Sequence, residues 1–278
     1  MRFVNMLDEE LLALAEKESW VGKPRSFWAD LCTYTYLPNA FLEAYKDYVC
    51  WDYVLELRPD IPDYLLDELL TKILQLVALP KTKMSNISQK TLEHLIKTQN
   101  LSTTFIDKWY AKLPEFYLED LVKSQNLTAS QQEKFMRNCG IYPSNFSCFL
   151  QYQNPAESLL DKYWDVVVAR QFTGIVYREY RGLSLDFIKQ HLPVTLLDWQ
   201  AVYLYQTLNV EFLEQYLPQT KECWSYVSHW QPLTTDFIVK YRDLLDIRNL
   251  KDRLTKQKGT VKLDISDTDR VKLLILLS

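Results

Sequence analysis

The chain has 278 residues, 47% hydrophobic and 24% charged, with a formal charge of -4; this describes a folded, soluble protein long enough for one or two compact domains or a single elongated array. The charge, with a pI near 5.5, excludes the broadly basic footprint that binds nucleic acid by counterion release and leaves only a local basic stripe open. Five glycines against 18 Tyr, 12 Phe and 8 Trp exclude Gly-rich phosphate loops and favour helices joined by Ser, Thr, Asn or Pro over turn-rich β-sandwiches.

In chain order, the first twenty residues carry acids inside their apolar run, so they do not read as a secretory signal, and no apolar run approaches a membrane span. Asp8, Glu9, Glu10 and Glu16 give an acidic first helix suited to capping an array, and residues 1–36 are read as an N-terminal capping unit. From Leu37 to about Lys258 one pattern recurs every 25 residues or so, most plainly as LSLDFIKQHLPVTLLDWQAVYLYQT from Leu183 and LNVEFLEQYLPQTKECWSYVSHWQP from Leu208. Each unit opens on Leu or Ile, then a cap residue, then Phe with Ile or Leu at positions 5 and 6, and an aromatic at position 9. With Ser184 as N-cap, Leu183 and Ile188 fall at N′ and N4 and form a hydrophobic staple. The same pairing recurs as Leu37/Leu42, Ile61/Leu66, Leu101/Ile106, Leu208/Leu213 and Leu233/Ile238.

The second half of the unit carries a large apolar residue, another three later, and a Gln four after that: Leu92-Leu95-Gln99, Leu118-Leu121-Gln125, Phe146-Phe149-Gln153, Trp199-Val202-Gln206 and Trp224-Val227-Gln231. This spacing places all three on one stripe of a second helix, and the Gln tip is expected to reach the turn backbone before the next unit, where buried carbonyls need donors. Starts fall near Leu7, Leu37, Ile61, Leu101, Leu127, Pro155, Leu183, Leu208 and Leu233, with an insertion near residues 80–92 and degraded copies at Leu127 and Pro155. Such short helices bury their apolar faces only by stacking. The expected fold is therefore all-α, an α-solenoid of about nine helix-turn-helix repeats of 24–30 residues. Residues 259–278 form a C-terminal cap or tail, with Thr260 to Ile265 as a short strand, Ser266 and Asp269 as a capping box, and VKLLILLS as a buried capping element or a subunit contact.

No constellation carries catalysis. His191 takes the aromatic position 9, and His94 and His229 have no ligand partners in motif spacing. Cys32, Cys50, Cys139, Cys148 and Cys223 form no CxxC pair, which favours a reducing compartment. Asp264, Asp267 and Asp269 lack the Gly and Glu of a calcium loop and read as a helix cap. Neither a metal nor a cofactor is expected. Aromatics outside the stacking positions, Tyr203, Tyr205, Tyr226 and Trp230, are read as an exposed interaction face. Two basic runs, Lys81, Lys83, Lys90 and Lys97, and Arg248, Lys251, Arg253, Lys256 and Lys258, are read as solvated faces, with a nucleic-acid or acidic-partner site as the functional alternative.

The wording QNLSTTFI from Gln99 to Ile106 and QTLNVEFL from Gln206 to Leu213 resembles the short Q-x-L-S-x-x-F-I helical repeats in proteins of large DNA viruses, giant viruses especially, and of some bacteriophages. The resemblance spans Leu37 to Leu254 unevenly and implies a viral origin, with a place in the host cytoplasm or the virion, and carries over no functional residue. The expected function is a non-enzymatic protein-interaction scaffold or inhibitor that binds a host or viral protein through the solenoid face; an RNA- or DNA-binding repeat protein is the alternative. The site residues on that reading are Tyr203, Tyr205, Tyr226, Trp230, Arg248, Lys251, Arg253 and Lys256.

Overall fold

The computed structural model describes residues 8–77, 86–138, 142–217, 220–256 and 263–277, and among them the fold is all-α, with no sheet. Leu7, Lys81, Lys83, Cys139 and Lys258 lie outside the described residues, as does 78–85 within the expected insertion. The chain divides into two units, 1–132 and 133–278. The first contains α1 (Asp8–Lys17), α2 (Arg25–Tyr34), α3 (Asn39–Ala44), α4 (Trp51–Leu57), α5 (Asp63–Val77), α6 (Asn86–Thr98), α7 (Thr103–Trp109) and α8 (Leu118–Ser124), and the boundary falls inside α9 (Ala129–Asn138). The second contains α10 (Pro143–Gln153), α11 (Glu157–Lys162), α12 (Trp164–Ala169), α13 (Thr173–Glu179), α14 (Leu185–Gln190), α15 (Leu196–Tyr205), α16 (Val210–Tyr216), α17 (Lys221–Trp230), α18 (Thr235–Lys240), α19 (Ile247–Lys256) and α20 (Asp267–Leu276). Among the described residues, no helix is long and apolar enough to cross a membrane.

The first helix of each repeat starts where the sequence places its cap. Ser102, Ser184, Asn209 and Thr234 accept from the amides of Phe105, Phe187, Phe212 and Phe237 at 2.9–3.3 Å, satisfying one orphan donor of each first turn. Both members of the staples Leu37/Leu42, Ile61/Leu66, Leu183/Ile188, Leu208/Leu213 and Leu233/Ile238 are buried, while Leu101 beside buried Ile106 is half-covered. The position-5 aromatics Phe105, Phe187, Phe212 and Phe237 are buried too, each contributing about 2–3 kcal/mol of transfer free energy. Helices of six or seven residues are unstable alone, so this burial is what holds them. The second helices pack on one another in sequence: α2 on α4, α4 on α6 and α6 on α8 in the first unit, and α10 on α13, α13 on α15, α15 on α17 and α17 on α19 in the second.

The corner glutamines join these second helices, and they reach back rather than forward. Gln231 Nε2 donates to the carbonyls of Tyr203 (2.7 Å) and Gln206 (2.9 Å), and its Oε1 accepts from the Leu208 amide (2.8 Å). Gln206 does the same with Tyr177 O, Tyr180 O and Leu183 N, Gln125 with Ile96 O, Gln99 O and Leu101 N, and Gln99 with Leu55 O, Arg58 O and Ile61 N. The expectation that each Gln serves the turn before the next unit is thus corrected: it serves the turn that opens its own unit. The carbonyls are last-turn acceptors of the preceding second helix, which lack intrahelical donors. The carboxamide, with two donors and one acceptor on a short stem, meets all three groups at once.

Where glutamine is absent the chemistry changes. Arg253 occupies the corner position of α19 and donates through Nη1 to Ser228 O (2.8 Å) and Nη2 to Gln231 O (2.9 Å). Burial pushes its guanidinium down to about 10, still cationic at neutral pH. Arg58, also buried, donates to Leu37 O (2.6 Å) and Asn39 Oδ1 (2.8 Å).

A second ladder runs along the first helices, where an acid at repeat position 7 meets position 8 or 9 of the next unit: Asp67–Lys108 (2.5 Å), Glu133–Lys162 (2.9 Å), Asp161–His191 (2.9 Å) and Glu214–Lys240 (2.9 Å). The lysines of these pairs are exposed, so solvent screens them and each lysine pair adds little to stability, whereas the His191 side chain is only 9% exposed against Asp161.

At the C-terminal end, Asp264 N donates to Leu233 O at 3.2 Å, leaving one isolated bridge to Thr234 among the described residues in place of the expected strand, whose residues 260–262 lie outside them. Ser266 caps α20 by accepting from Asp269 N (3.1 Å), and its hydroxyl donates to the Asp269 carboxylate (2.8 Å). Asp269 is thereby engaged as a cap, its carboxyl held below the usual range by Ser266 and Lys272. Helix α20 packs on α18 and α19 and buries Leu273 and Leu277, while Val271 and Ile275 stay exposed.

Two outcomes follow from these ladders. Gln231→Glu, which keeps the shape and removes both donors, lowers unfolding free energy in urea by about 3 kcal/mol, since two buried carbonyls lose their partners; Gln132→Glu, on a half-buried side chain of α9, changes it by under about 1 kcal/mol. Glu133, hydrogen-bonded by Lys162, Tyr163 and Arg137, has its pKa lowered to about 2 from 4.5. Its contribution is therefore full above the unfolded value and is lost as pH falls from about 4.5 toward 2. The acid limb of a stability-versus-pH curve flattens in Glu133→Gln relative to wild type.

Candidate functional site

The repeat beginning at Pro155 departs furthest from the pattern, and its departure opens a groove. After α11 the chain does not go directly to a second helix; it makes an extra turn, α12, and then passes through Gln171 in the left-handed region (φ 60°) before α13. This leaves α13 with seven residues where α15 and α17 have ten. The first turn of α15 consequently stands uncovered, with Leu196 and Leu197 49% and 74% exposed.

The resulting groove has a volume of about 710 Å³. One wall is Trp164 and Val168, one turn apart on α12, and the other is Leu197, Ala201 and Leu204, at i, i+4 and i+7 on α15. The loop Leu192-Pro193-Val194 closes one end, and Val194 is 93% exposed. Gly174 lies between the walls; a Cβ there would sit 3.3 Å from Asp198 Oδ1, so the residue permits α13 to lie close against α15.

The polar groups that line the groove are mostly engaged in building it. Asp198 is buried, accepts from Thr173 Oγ1 (2.9 Å) and Thr195 Oγ1 (2.8 Å), and completes a capping box in which its own amide donates to Thr195 Oγ1 (3.1 Å). Arg178 Nε donates to Glu179 (2.7 Å), and Gln200 Nε2 donates to Tyr226 OH (2.6 Å). His191 packs its ring 4.2 Å from Trp164 and 4.6 Å from Phe187 and meets Asp161 through Nε2, the aromatic place its repeat position implies. What the groove offers a ligand is burial of apolar surface.

The residues singled out in sequence divide. Tyr205, 51% exposed, lines the groove; Tyr226 and Trp230 are half-buried on α17, Trp230 against His229 at 4.7 Å. Arg248 is exposed and Lys251 half-buried on α19, while Lys256 ends that helix with its side chain outside the described residues. Two assignments are corrected. Tyr203 is 1% exposed because it lies four residues after the anchor Trp199, on the same buried stripe, with the rings stacked at 5.6 Å. Arg253 is 7% exposed because it replaces a corner glutamine. Neither can contact a partner.

Sequence reasoning missed the groove's lip, although aligning the two clear copies reveals it. LPVTLLDW from Leu192 stands against LPQTKECW from Leu217, so Val194, Leu196 and Leu197 are apolar where the next copy has Gln219, Lys221 and Glu222. No protein family, curated protein or solved structure matches this chain.

Since these lip side chains are exposed, the triple change Val194→Gln, Leu196→Lys, Leu197→Glu moves the denaturation midpoint by no more than the equivalent of about 0.5 kcal/mol. Thr195→Ala, which removes the cap of α15, costs about 1 kcal/mol in the same measurement.

Proposed function

We propose that this chain is a non-enzymatic protein-interaction scaffold, an α-solenoid that binds a partner protein by seating apolar side chains in the groove between α12 and α15. The observation that carries this reading is the substitution of Gln219, Lys221 and Glu222 of one copy by Val194, Leu196 and Leu197 in the other, at positions exposed to solvent. Exposure normally selects polar residues there, as in the neighbouring copy, and adjoining exposed apolar side chains mark an interaction surface. Covering Leu197 and Val194 alone would return about 1–3 kcal/mol each, enough to make them anchors.

Charge supports a protein over a nucleic acid as the partner. The net charge is -4, and Lys108, Lys162 and Lys240 are matched by acids of the adjoining repeat, so these cations are compensated within the fold. The resemblance of the repeats to those of large DNA viruses and phages suggests a host or viral protein as the partner.

A benzophenone amino acid placed at position 205 tests the reading in lysate of the source system. The expected result is a discrete protein crosslink that disappears in the Val194→Gln, Leu196→Lys, Leu197→Glu variant at unchanged stability. Recovery of nucleic acid instead, with retention falling steeply between 50 and 200 mM salt, contradicts it, as does an identical crosslink pattern in wild type and variant.

A further inference from the structure

The groove leaves unused a pair of cysteines in the first unit. Cys32 lies in α2 and Cys50 is the N-cap residue of α4, and these two helices are neighbours among the stacked second helices. The Cys50 amide donates to Cys32 Sγ at 3.2 Å, which sets the Cys32 sulfur directly against the backbone of Cys50. Both are free thiols; Cys32 is 1% exposed and Cys50 half-exposed. Aromatic packing holds the segment between them in place: Trp28, one turn before Cys32, sits 5.7 Å from Tyr45 and stacks on Tyr48 at 5.6 Å. A disulfide needs Cβ atoms about 3.8 Å apart and sulfurs about 2.05 Å apart, and a Cys32 sulfur held 3.2 Å from the Cys50 amide is within a side-chain rotation of the Cys50 thiol.

We infer that Cys32 and Cys50 are a thiol–disulfide modification site at which glutathione disulfide, or another small disulfide of that class, ties α2 to α4. The half-exposed Cys50 reacts first. Its thiolate attacks one sulfur of glutathione disulfide, the glutathione S–S bond breaks, and one glutathione thiolate leaves and takes up the proton that Cys50 released. Cys32 then loses its proton and attacks Cys50 Sγ, forming the Cys32–Cys50 bond and expelling the second glutathione. The net change is two protein thiols and one glutathione disulfide to one protein disulfide and two glutathiones, with two electrons passing from protein to glutathione.

The order follows from environment. Burial pushes the Cys32 thiol up to about 12, so it is a poor nucleophile toward reagents in solution and attacks only a disulfide delivered beside it. Closure is the slow step, and glutathionylated Cys50 accumulates before it. The product staples the first two second helices, constraining the unfolded chain through the loop between residues 32 and 50.

The test incubates the whole protein with glutathione disulfide, quenches with acid, and maps peptides under non-reducing conditions. The expected course is a glutathione adduct at Cys50, then a Cys32–Cys50 linked peptide two mass units below the sum of its free-thiol parts, reversed by dithiothreitol and accompanied by a higher melting temperature. Cys32→Ser, checked for folding by its helical circular dichroism, traps the Cys50 adduct permanently. If that variant is unfolded, Cys50→Ser serves instead, and must show no adduct at Cys32. Free thiols at both positions after prolonged incubation, a terminal Cys50 adduct in wild type, or pairing of Cys50 with another cysteine overturns the inference.

Discussion

The three polar groups left open where one second helix ends and the next first helix begins are the constraint on which these repeats depend. Two carbonyls and one amide are buried at each such corner, and a buried group without a partner costs about 1–3 kcal/mol. The side chain that satisfies them comes from the following second helix, as Gln206 does for Tyr177, Tyr180 and Leu183. The corners served by Gln99, Gln125, Gln206 and Gln231 are therefore each completed by the following second helix, and short helices that could not persist singly are held against their neighbours within each unit. The arginine at 253 meets the same two-carbonyl requirement with a longer fork, at the cost of burying a cation.

The same constraint explains where the molecule is free to vary. The corner and the apolar stripe occupy the inner positions of each repeat, so variation is confined to outward residues and to the connections. The Pro155 repeat uses that freedom most: its corner residue is Tyr180, whose carbonyl accepts from Gln206, and its connection contains the extra turn α12. A shortened α13 and a bared first turn of α15 follow from that one change, and the lip residues Val194, Leu196 and Leu197 are apolar only there among the two clear copies.

Much of this was legible in the sequence. Repetition of Leu, cap residue and Phe-Ile fixes the starts of α7, α14, α16 and α18, because capping and staple chemistry act over a few neighbouring residues. The glutamine spacing was visible as well, but its direction was not, since a 25-residue period looks alike whether each unit reaches forward or back. Tyr203 is buried as the i+4 neighbour of the anchor Trp199, a position outside the i, i+3, i+7 pattern that marks the second helix in sequence. Arg253 escaped because the last repeat is compressed, placing the corner residue 22 positions after Gln231 instead of 25. The groove was hidden for a different reason: it comes from the left-handed Gln171 and the shortening of α13, neither of which has a periodic signature.

The claim that corner side chains lock each repeat to the one before is tested most directly by native-state hydrogen exchange at single-residue resolution. The amides of Leu101, Leu183 and Leu208 sit at the entry to helices, where no intrahelical acceptor exists, and each donates to a glutamine Oε1 of the succeeding second helix, Leu101 sharing its donor with the Gln99 carbonyl. They should exchange as slowly as core amides such as Val202 and Val227, and Gln231→Ala should accelerate Leu208 while leaving Leu101 unchanged. Exchange of Leu183 and Leu208 at the rate of exposed loop amides in the intact protein would contradict the account.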